Sequence, residues 1–312
     1  MEGIIFLFPG QGSQKIGMGK DFYEEYDFAR ELFDMAEEIS RLNLSRLCFQ
    51  GPLDELTQTV NLQPAITTVN LAALTAIAKE GVKSDIAAGH SLGEYSALYA
   101  AGFISKEDTF KLVFKRGALM HREATRHQGA MHAIIGLGIE AVNKLVVEEQ
   151  REGVVSVANH NTEKQIVITG APDSVQRVSK MAVSQGAKTV PLKVSGAWHS
   201  QLIEGAEDEF RQSLNAIPFN TPHSAIIHNV TAELSRDPKE SQTIMADQLC
   251  SPVKWYDAMR LTMAEEVSIF VEIGPGKVLT GLLKKILPRD YPCKLFAIND
   301  MHSLERFLKE VT

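Results

Sequence analysis

Cysteine is scarce in this sequence of 312 residues. Cys48, Cys250 and Cys293 are the only three, they lie far apart, and no two of them form a Cys-x-x-Cys pair. An odd and widely spaced set argues against a disulfide framework and offers no zinc-ligand spacing. We therefore expect a reducing, cytoplasmic location, with neither a metal nor a permanently bound cofactor.

A surplus of positive charge is also missing. The chain has 32 Lys and Arg residues against 39 Asp and Glu residues, which gives a formal net charge of -7. General binding of nucleic acids needs a concentrated surplus of basic residues. We therefore expect no nucleic-acid partner for this protein.

Membrane and secretory segments are not expected either. Residues 1–3 place no basic charge ahead of the short apolar run 4–8, so we expect no secretory signal there. By inspection, no apolar run approaches membrane-spanning length, so we expect no membrane partner. The composition, with 44% hydrophobic and 23% charged residues, is that of a globular chain with a large core.

The most informative segment that is present is Gly-His-Ser-Leu-Gly at positions 89–93. It follows the small apolar run 86–88, which predicts a strand end, and precedes residues 94–101, which predict a helix. A serine on a sharp strand-to-helix turn is typical of a nucleophile elbow, where flanking glycines avoid collisions between side chains. Ser91 is therefore the candidate nucleophile.

Hydrophobic patterning predicts two architectural units. Strands are predicted at 3–8, 86–88, 224–229 and 267–273, and helices at 65–79, 94–101, 105–124 and 278–286. Between them, the order strand, helix, strand, strand, helix, strand is predicted at 130–137, 139–150, 154–160, 165–170, 172–185 and 187–195. This order matches a ferredoxin-like α+β unit. We therefore expect an α/β protein whose large domain, residues 1–127 and 197–312, carries an inserted subdomain at residues 128–196.

Seven motifs follow one another along the chain. They are Phe-Pro-Gly-Gln-Gly-Ser-Gln at 8–14, Gln-Pro-Ala at 63–65, Gly-His-Ser-Leu-Gly-Glu at 89–94, Arg-Gly at 116–117, Val-Ser-Gly-Ala-Trp-His-Ser at 194–200, Gln-Leu at 248–249 and Gly-Pro-Gly-Lys-Val-Leu at 274–279. Together they resemble the malonyl-CoA:acyl carrier protein transacylase family, which includes the acyltransferase domains of fatty acid and polyketide synthases. The resemblance implies a hydrolase-like large domain with a parallel-rich sheet flanked by helices, an inserted ferredoxin-like subdomain, and malonyl transfer between thiols through a serine ester.

A serine nucleophile needs a base, and histidine is the side chain whose proton affinity suits that task. Of nine histidines, His199 lies in the segment that resembles the family motif Ser-Gly-x-x-His-Ser. His90 flanks the nucleophile, but we expect it to point away from the reacting group. Asp108 and Asp173 follow the serine in the order of an α/β-hydrolase triad. The resemblance implies instead that the main-chain carbonyl of Gln248 orients the histidine.

Attack on a thioester places negative charge on its carbonyl oxygen, which two preorganised N–H donors can stabilise. The resemblance implies that these donors are the main-chain amides of Gln11 and Leu92. Glycines on both sides of Gln11 suit that role because they permit close approach of the backbone. A phosphate-binding loop is the rival interpretation, but no Gly-Lys-Ser or Gly-Lys-Thr follows.

Four further residues are substrate-binding candidates through the resemblance. Arg116 can pair with a malonyl carboxylate through two parallel hydrogen bonds, which would select a carboxylated acyl group. Trp198 stands in a Gly-Ala-Trp version of the commoner Gly-Pro-Phe and leaves little room for a branched α-carbon, which favours malonyl over methylmalonyl. Gln63 and Asn159 match pocket positions of the family. His132 replaces a small residue in the first subdomain strand and has no predicted role.

The resemblance also implies the partners. Malonyl-CoA donates the acyl group, the phosphopantetheine thiol of holo acyl carrier protein accepts it, and the enzyme is expected to be a monomer. Because related carriers are acidic, docking needs a local positive surface. Lys284, Lys285 and Arg289 form one candidate surface, and Lys188 and Lys193 form another.

Two alternative functions would use the same residues. A serine hydrolase or editing thioesterase of acyl thioesters would share Ser91 and His199 and would differ in admitting water. The malonyl transacylase subunit of a malonate decarboxylase would share the chemistry and differ in its carrier. Arg116 favours malonyl transfer, and the sequence leaves open whether the pathway makes fatty acids or polyketides.

Overall fold

The computed structural model describes residues 3–311. Within that range the strands are β1 (Gly3–Phe8), β2 (Ile86–Gly89), β3 (Ala130–Ile135), β4 (Val155–Thr162), β5 (Gln165–Gly170), β6 (Lys188–Pro191), β7 (Ala225–Ile227), β8 (Leu234–Ser235), β9 (Val267–Ile273) and β10 (Lys294–Ile298). The helices are α1 (Lys20–Glu25), α2 (Asp27–Ser40), α3 (Leu44–Gln50), α4 (Leu53–Thr57), α5 (Thr59–Lys79), α6 (Gly93–Ala101), α7 (Lys106–Arg126), α8 (Ile139–Glu149), α9 (Pro172–Ser184), α10 (Glu207–Asn215), α11 (Pro238–Asp247), α12 (Trp255–Ala264), α13 (Val278–Ile286) and α14 (Met301–Val311). A 3-10 helix, Gln201–Ala206, precedes α10.

The larger sheet is mostly parallel and is covered on both faces. Its order is β10-β9-β1-β2-β7-β8, and β8 runs antiparallel to β7 while the other pairs are parallel. Along β1, Phe6 and Phe8 pack in the cluster that contains α5 and α6, whereas Ile5 and Leu7 pack in the cluster that contains α12 and α13. Burial on both faces explains the continuous apolar run of this strand. The predicted α/β class with a parallel-rich sheet flanked by helices is confirmed.

Most predicted elements lie where the patterning placed them, with β1, β5, β9 and α13 matching to the residue. The predicted helix at 65–79 was too short, because α5 begins at Thr59 and Pro64 lies inside it. Proline removes one backbone donor, but α5 packs closely on α7, where a Cβ on Gly117 would lie 3.0 Å from Thr59 O. The predicted strand at 187–195 was too long, because β6 ends at Pro191, which cannot donate to a sheet.

Helix α5 corrects the expectation about long apolar runs. Its 21 residues make it long and apolar enough, by length and composition alone, to cross a membrane. However, 89% of its most apolar stretch is buried inside the protein. It packs against α2 and α7 as a core helix of the large unit.

A second sheet is built from β3 to β6, with α8 and α9 in the order βαββαβ predicted for a ferredoxin-like unit. The sheet order is β4-β5-β3-β6, and every pair is antiparallel. α8 and α9 cover one face, while Met131 and Ala133 of β3 join the main hydrophobic core. A parallel bridge between Asn159 and Val253 links β4 to the loop before α12. The second sheet therefore packs directly against the elements around the larger sheet, near the carboxyl ends of its parallel strands.

Candidate active site

Ser91 lies in the turn between β2 and α6, at the carboxyl end of the parallel sheet. Its φ of +51° is a left-handed conformation that residues other than glycine rarely adopt. A Cβ on Gly89 would lie 2.0 Å from Gly93 C, and a Cβ on Gly93 would lie 1.9 Å from Phe8 O. Both glycines are therefore required by the close approach of β1, β2 and α6. The segment has the strand-turn-helix geometry expected for it.

Ser91 and His199 meet although 108 residues separate them in the chain. Oγ of Ser91 lies 2.8 Å from Nε2 of His199. Nδ1 of the same ring lies 3.2 Å from the main-chain oxygen of Gln248 and 3.0 Å from that of Ser251. Because carbonyl oxygens only accept hydrogen bonds, Nδ1 carries the proton, and Nε2 accepts the hydrogen bond from the serine hydroxyl.

The groups beside Nδ1 were only partly predicted. The main-chain oxygen of Gln248 lies where the resemblance implied, but that of Ser251 is nearer and was missed. Residue type gives no signal for such a contact, since every residue has a main-chain carbonyl. Neither carboxylate considered for a triad is present there: Asp108 belongs to the N-terminal cap of α7, and Asp173 lies in the first turn of α9.

Arg116 projects from α7 into the site and is 1% exposed. Its Nη1 donates to Gln63 Oε1 over 2.9 Å, and its Nη2 donates to Ser91 Oγ over 3.2 Å. The guanidinium also lies 5.6 Å from the centre of the Tyr95 ring, and Nε finds no hydrogen-bond partner among residues 3–311. No Asp or Glu between residues 3 and 311 forms an ion pair with this cation.

The electrostatics around Arg116 favour an anionic ligand. Burial lowers the pKa of its guanidinium, which reflects the cost of holding a charge away from water. A buried charge is stabilised by an opposite charge with good hydrogen-bond geometry. Among residues 3–311, its nearest partners are neutral, namely the amide of Gln63, the hydroxyl of Ser91 and the ring of Tyr95. A carboxylate on the substrate would supply the missing charge.

The amides of Gln11 and Leu92 are free to bind an oxygen. The loop after β1 approaches the turn so closely that a Cβ on Gly10 would lie 2.6 Å from His90 O. Both residues line the same cleft as Ser91. Across the described part of the chain, neither main-chain N–H donates a hydrogen bond to another group. Two free N–H groups in the same cleft as a serine are the kind of donors that a developing oxyanion requires.

The other predicted pocket residues also line this cleft. Gln63 has a second contact, since its Nε2 donates to Thr59 Oγ1 over 2.9 Å, which fixes the amide that holds Arg116. Trp198 is 5% exposed. Asn159 also lines an adjoining cleft.

Two further histidines form hydrogen bonds with residues other than Ser91 and His199. Nε2 of His90 lies 2.8 Å from Asn161 Oδ1 in β4, and its ring packs against Trp255. His90 therefore connects the turn to β4, but it also lines the cleft that contains Ser91, so its expected orientation away from the reacting group stays a prediction. Nδ1 of His132 lies 2.8 Å from Ser179 Oγ on α9, so this side chain belongs to the packing of the subdomain.

A buried polar network behind the turn was not predicted. Glu94 is fully buried, and its Oε1 accepts from Nδ1 of His228 at 2.8 Å and from the main-chain N–H of Asn229 at 3.1 Å. Its Oε2 accepts from Nε2 of Gln248 at 2.7 Å. The signal available in the sequence was the final Glu of the Gly-His-Ser-Leu-Gly-Glu motif.

Electrostatics keep His199 neutral. Burial, the positive charge of Arg116 and the nearby His90 lower the pKa of His199 to about 3, while the hydrogen bonds to the carbonyls of Gln248 and Ser251 oppose this shift. At neutral pH the ring is therefore deprotonated at Nε2 and ready to accept a proton.

A serine at a strand-turn-helix junction, a neutral histidine beside it and a buried unpaired arginine define an α/β enzyme equipped for acyl transfer. Comparison with known proteins gives the family. The model of the acyl transferase domain matches residues 5–301, and the chain belongs to this family.

Individual relatives cover almost the whole chain. Malonyl CoA-acyl carrier protein transacylase of Bacillus subtilis (strain 168) is 42% identical over 307 residues, which cover 98% of this chain and 96% of the relative. The structure of malonyl CoA-acyl carrier protein transacylase from Coxiella burnetii has a TM-score of 0.94 and 33% identity, covering 100% of this chain and 98% of the other. A complex of a type II polyketide acyl carrier protein, holo AntF, with its malonyl-transacylase PlMCAT has a TM-score of 0.93 and 34% identity, with 99% of each chain covered.

Proposed function

We propose that this chain transfers a malonyl group from malonyl-CoA to the phosphopantetheine thiol of holo acyl carrier protein, through an ester on Ser91. One observation carries the proposal: Arg116 is buried, has no carboxylate partner within residues 3–311, and lies 3.2 Å from Ser91 Oγ. A malonyl thioester holds its carboxylate one methylene away from the reacting carbonyl. It can therefore pair with Arg116 while its carbonyl carbon faces Ser91.

The first half of the reaction forms the ester. Ser91 Oγ attacks the thioester carbon while Nε2 of His199 takes the hydroxyl proton. The two main-chain carbonyls at Nδ1 hold the ring in the required tautomer and accept from the imidazolium that forms. The free amides of Gln11 and Leu92 stabilise the oxyanion. The C–S bond then breaks, His199 returns its proton to the departing thiolate, and coenzyme A leaves as the free thiol.

The second half discharges the ester in the reverse sense. The phosphopantetheine thiol enters through the adjoining cleft, His199 takes its proton, and the thiolate attacks the ester carbon. The C–O bond breaks, Ser91 regains the proton, and the malonyl carrier leaves. Coenzyme A and phosphopantetheine are thus substrates, and none of these steps uses a metal or a cofactor. Water attacking the same ester would give hydrolysis instead.

Several finer points belong to the same proposal. The exposed Lys284, Lys285 and Arg289 on and after α13 offer a positive surface to an acidic carrier. The net charge of -7 disfavours nucleic acid as a partner. We also propose a cytoplasmic monomer, with a large domain formed by residues 1–127 and 197–312 and a subdomain formed by residues 128–196.

Intact-protein mass spectrometry tests the proposal. The protein is mixed with malonyl-CoA and then divided between buffer and holo acyl carrier protein, in parallel with Ser91→Ala and the control Ser184→Ala, whose serine is exposed at the end of α9. We expect a malonyl adduct on wild type and Ser184→Ala only, stable in buffer and discharged by the carrier. Rapid loss to water would favour a hydrolase, and no adduct on wild type would reject the substrate.

A further inference from the structure

The strained turn at Ser91 is held at both of its peptide groups. The main-chain N–H of Ser91 donates to Oδ1 of Asn229 over 2.7 Å, and Nδ2 of Asn229 donates to Gly89 O over 2.7 Å. On the other side, the main-chain oxygen of Ser91 accepts from Nε2 of Gln248 over 2.9 Å. An unfavourable φ persists only where its surroundings determine it this fully. Asn229 and Gln248 are thus the two clamps of the nucleophile.

Both clamps converge on one carboxylate. Glu94 Oε1 accepts from the main-chain N–H of Asn229, and Glu94 Oε2 accepts from the same Nε2 of Gln248 that contacts Ser91. Glu94 is fully buried and forms no ion pair with Lys or Arg in the described chain. Its remaining partner is Nδ1 of His228, at 2.8 Å.

Gln248 also connects the nucleophile to its base. Its side chain binds the main-chain oxygen of Ser91, while its main-chain oxygen lies 3.2 Å from Nδ1 of His199. It stands at the C-terminal end of α11, where the chain enters the loop that carries the second acceptor, Ser251 O. A long amide side chain has several rotatable bonds, so its placement depends on partners at its tip. The contact with Glu94 is the shortest of these, at 2.7 Å, against 2.9 Å to the main-chain oxygen of Ser91 and 3.3 Å to the hydroxyl of Tyr95.

We infer that Glu94 is a positioning residue for acyl transfer, which aligns Ser91 with His199 by fixing Gln248 and Asn229. This inference rests on the proposed function and adds a residue that never touches the substrate. The chain Ser241 Oγ to His228 to Glu94, with contacts of 2.9 and 2.8 Å, has the pattern of a hydrolytic triad. All three residues are fully buried, so Ser241 does not meet a thioester and the carboxylate acts through its neighbours.

Glu94→Gln tests the inference. The new amide keeps an oxygen for His228 and Asn229, but it turns an N–H toward Nε2 of Gln248, so donor faces donor. We expect the rate of Ser91 malonylation in a single turnover to fall about 10- to 100-fold, with the affinity for malonyl-CoA unchanged. The matched control is Glu149→Gln, since that carboxylate is also buried but pairs with Arg177 in the subdomain.

A cycle with His199→Ala separates positioning from general damage. If Glu94 acts by aligning Ser91 with His199, Glu94→Gln lowers the malonylation rate when His199 is present. In the His199→Ala background, the same substitution changes the rate by less than about twofold. An equal fall in both backgrounds would mean a structural role and would overturn the inference, as would a wild-type rate in Glu94→Gln. Wild type failing to form an adduct would instead refute the proposed function.

Gln248→Met keeps the test open should Glu94→Gln fold poorly. It retains the main-chain oxygen that faces His199 and removes the side-chain contacts with Ser91, Glu94 and the hydroxyl of Tyr95. We expect Gln248→Met to lower the rate of Ser91 malonylation by a similar factor. The rate of the double variant with Glu94→Gln should fall no further than that of the slower single variant. Additive losses, or full activity in Gln248→Met, would contradict a shared role.

Discussion

Nη2 of Arg116 donates a hydrogen bond to Oγ of Ser91 over 3.2 Å, so the cation and the nucleophile are in direct contact. A carboxylate is a better acceptor than a hydroxyl for a guanidinium, because it carries the opposite charge and can accept two parallel hydrogen bonds. A malonyl carboxylate therefore competes with Ser91 for Arg116. Pairing of the malonyl carboxylate with Arg116 would release a lone pair on Ser91 Oγ. It would also offset the positive charge of Arg116, which lowers the pKa of His199.

Arg116→Ala should reduce malonylation of Ser91 about 100-fold more than acetylation, because only the malonyl group has a carboxylate to lose its partner. Single-turnover acylation with malonyl-CoA and acetyl-CoA, followed by mass spectrometry, measures both rates. Arg122→Ala is the control, since Arg122 lies on the same helix but pairs with Glu209 at the surface. A uniform fall for both acyl groups would show that Arg116 is structural.

Gln248→Ala should cost far less activity than His199→Ala. The alanine variant retains its own main-chain oxygen and that of Ser251, so Nδ1 of His199 keeps both acceptors, while loss of the ring removes the base. We expect about a 10- to 100-fold loss for Gln248→Ala and at least about 1,000-fold for His199→Ala. Steady-state transfer to holo carrier measures both. Equal losses would mean that the carbonyls alone do not orient the ring.

Local pattern was enough to predict the fold class and the strand-to-helix turn that carries Ser91. A Cβ on Gly89 or Gly93 would lie about 2 Å from a neighbouring main-chain atom, so both positions require glycine. This geometric requirement is therefore visible in the sequence. His199 was identified through the motif that resembles the family. The beginning of α5 was not predictable in this way, because packing against α7 outweighs the local effect of Pro64.

The supporting contacts lay beyond sequence reasoning for two physical reasons. Ser251 contributes a main-chain oxygen, and because every residue has one, the residue type does not indicate this contact. Glu94 and Asn229 meet across 135 positions, and nothing local predicts which buried polar groups a fold will bring together. Arg116 was predicted as a carboxylate clamp, but its contacts with Gln63 and Ser91 are also tertiary.

His199 should make stability depend on pH below 6.5. Its folded pKa of about 3 lies below the ordinary value of 6.5, so between these values the unfolded chain binds a proton that the folded chain does not. Stability is then fully present above pH 6.5 and falls as the pH drops toward 3, by about 1.4 kcal/mol per pH unit for this one group. His199→Gln should remove this contribution to the pH dependence of the free energy of unfolding.

Urea unfolding of wild type and His199→Gln at pH 7, 5.5 and 4.5 measures the two slopes. Burial also lowers the pKa of His90, His132 and His160, so both proteins lose stability in acid and only the difference in slope belongs to His199. Parallel slopes would show that the histidine titrates normally in the folded protein.

Trp198→Ala should admit methylmalonyl groups. The indole lines the cleft with Ser91, and its outer edge lies so close to Gly196 that a Cβ there would be 2.7 Å from the ring. Removing the ring creates space for one branching methyl, whose discrimination is worth about 10- to 200-fold in a hydrophobic pocket. Competition between malonyl-CoA and methylmalonyl-CoA for Ser91 measures the ratio. Trp198→Phe should keep wild-type preference, and an unchanged ratio in Trp198→Ala would assign the indole to packing alone.

Gly93→Ala should destabilise the fold and abolish acylation together. A Cβ at Gly93 would lie 1.9 Å from Phe8 O, so β1 and α6 must separate, at a cost of about 3 kcal/mol. Gly281→Ala is the matched control, because no heavy atom lies within 4 Å of a Cβ built there in α13. Alanine is the better helix former, so this variant should be neutral or more stable by up to about 1 kcal/mol. Thermal unfolding and adduct formation measure both effects, and a Gly93→Ala protein as stable as wild type would mean that β1 and α6 separate without strain.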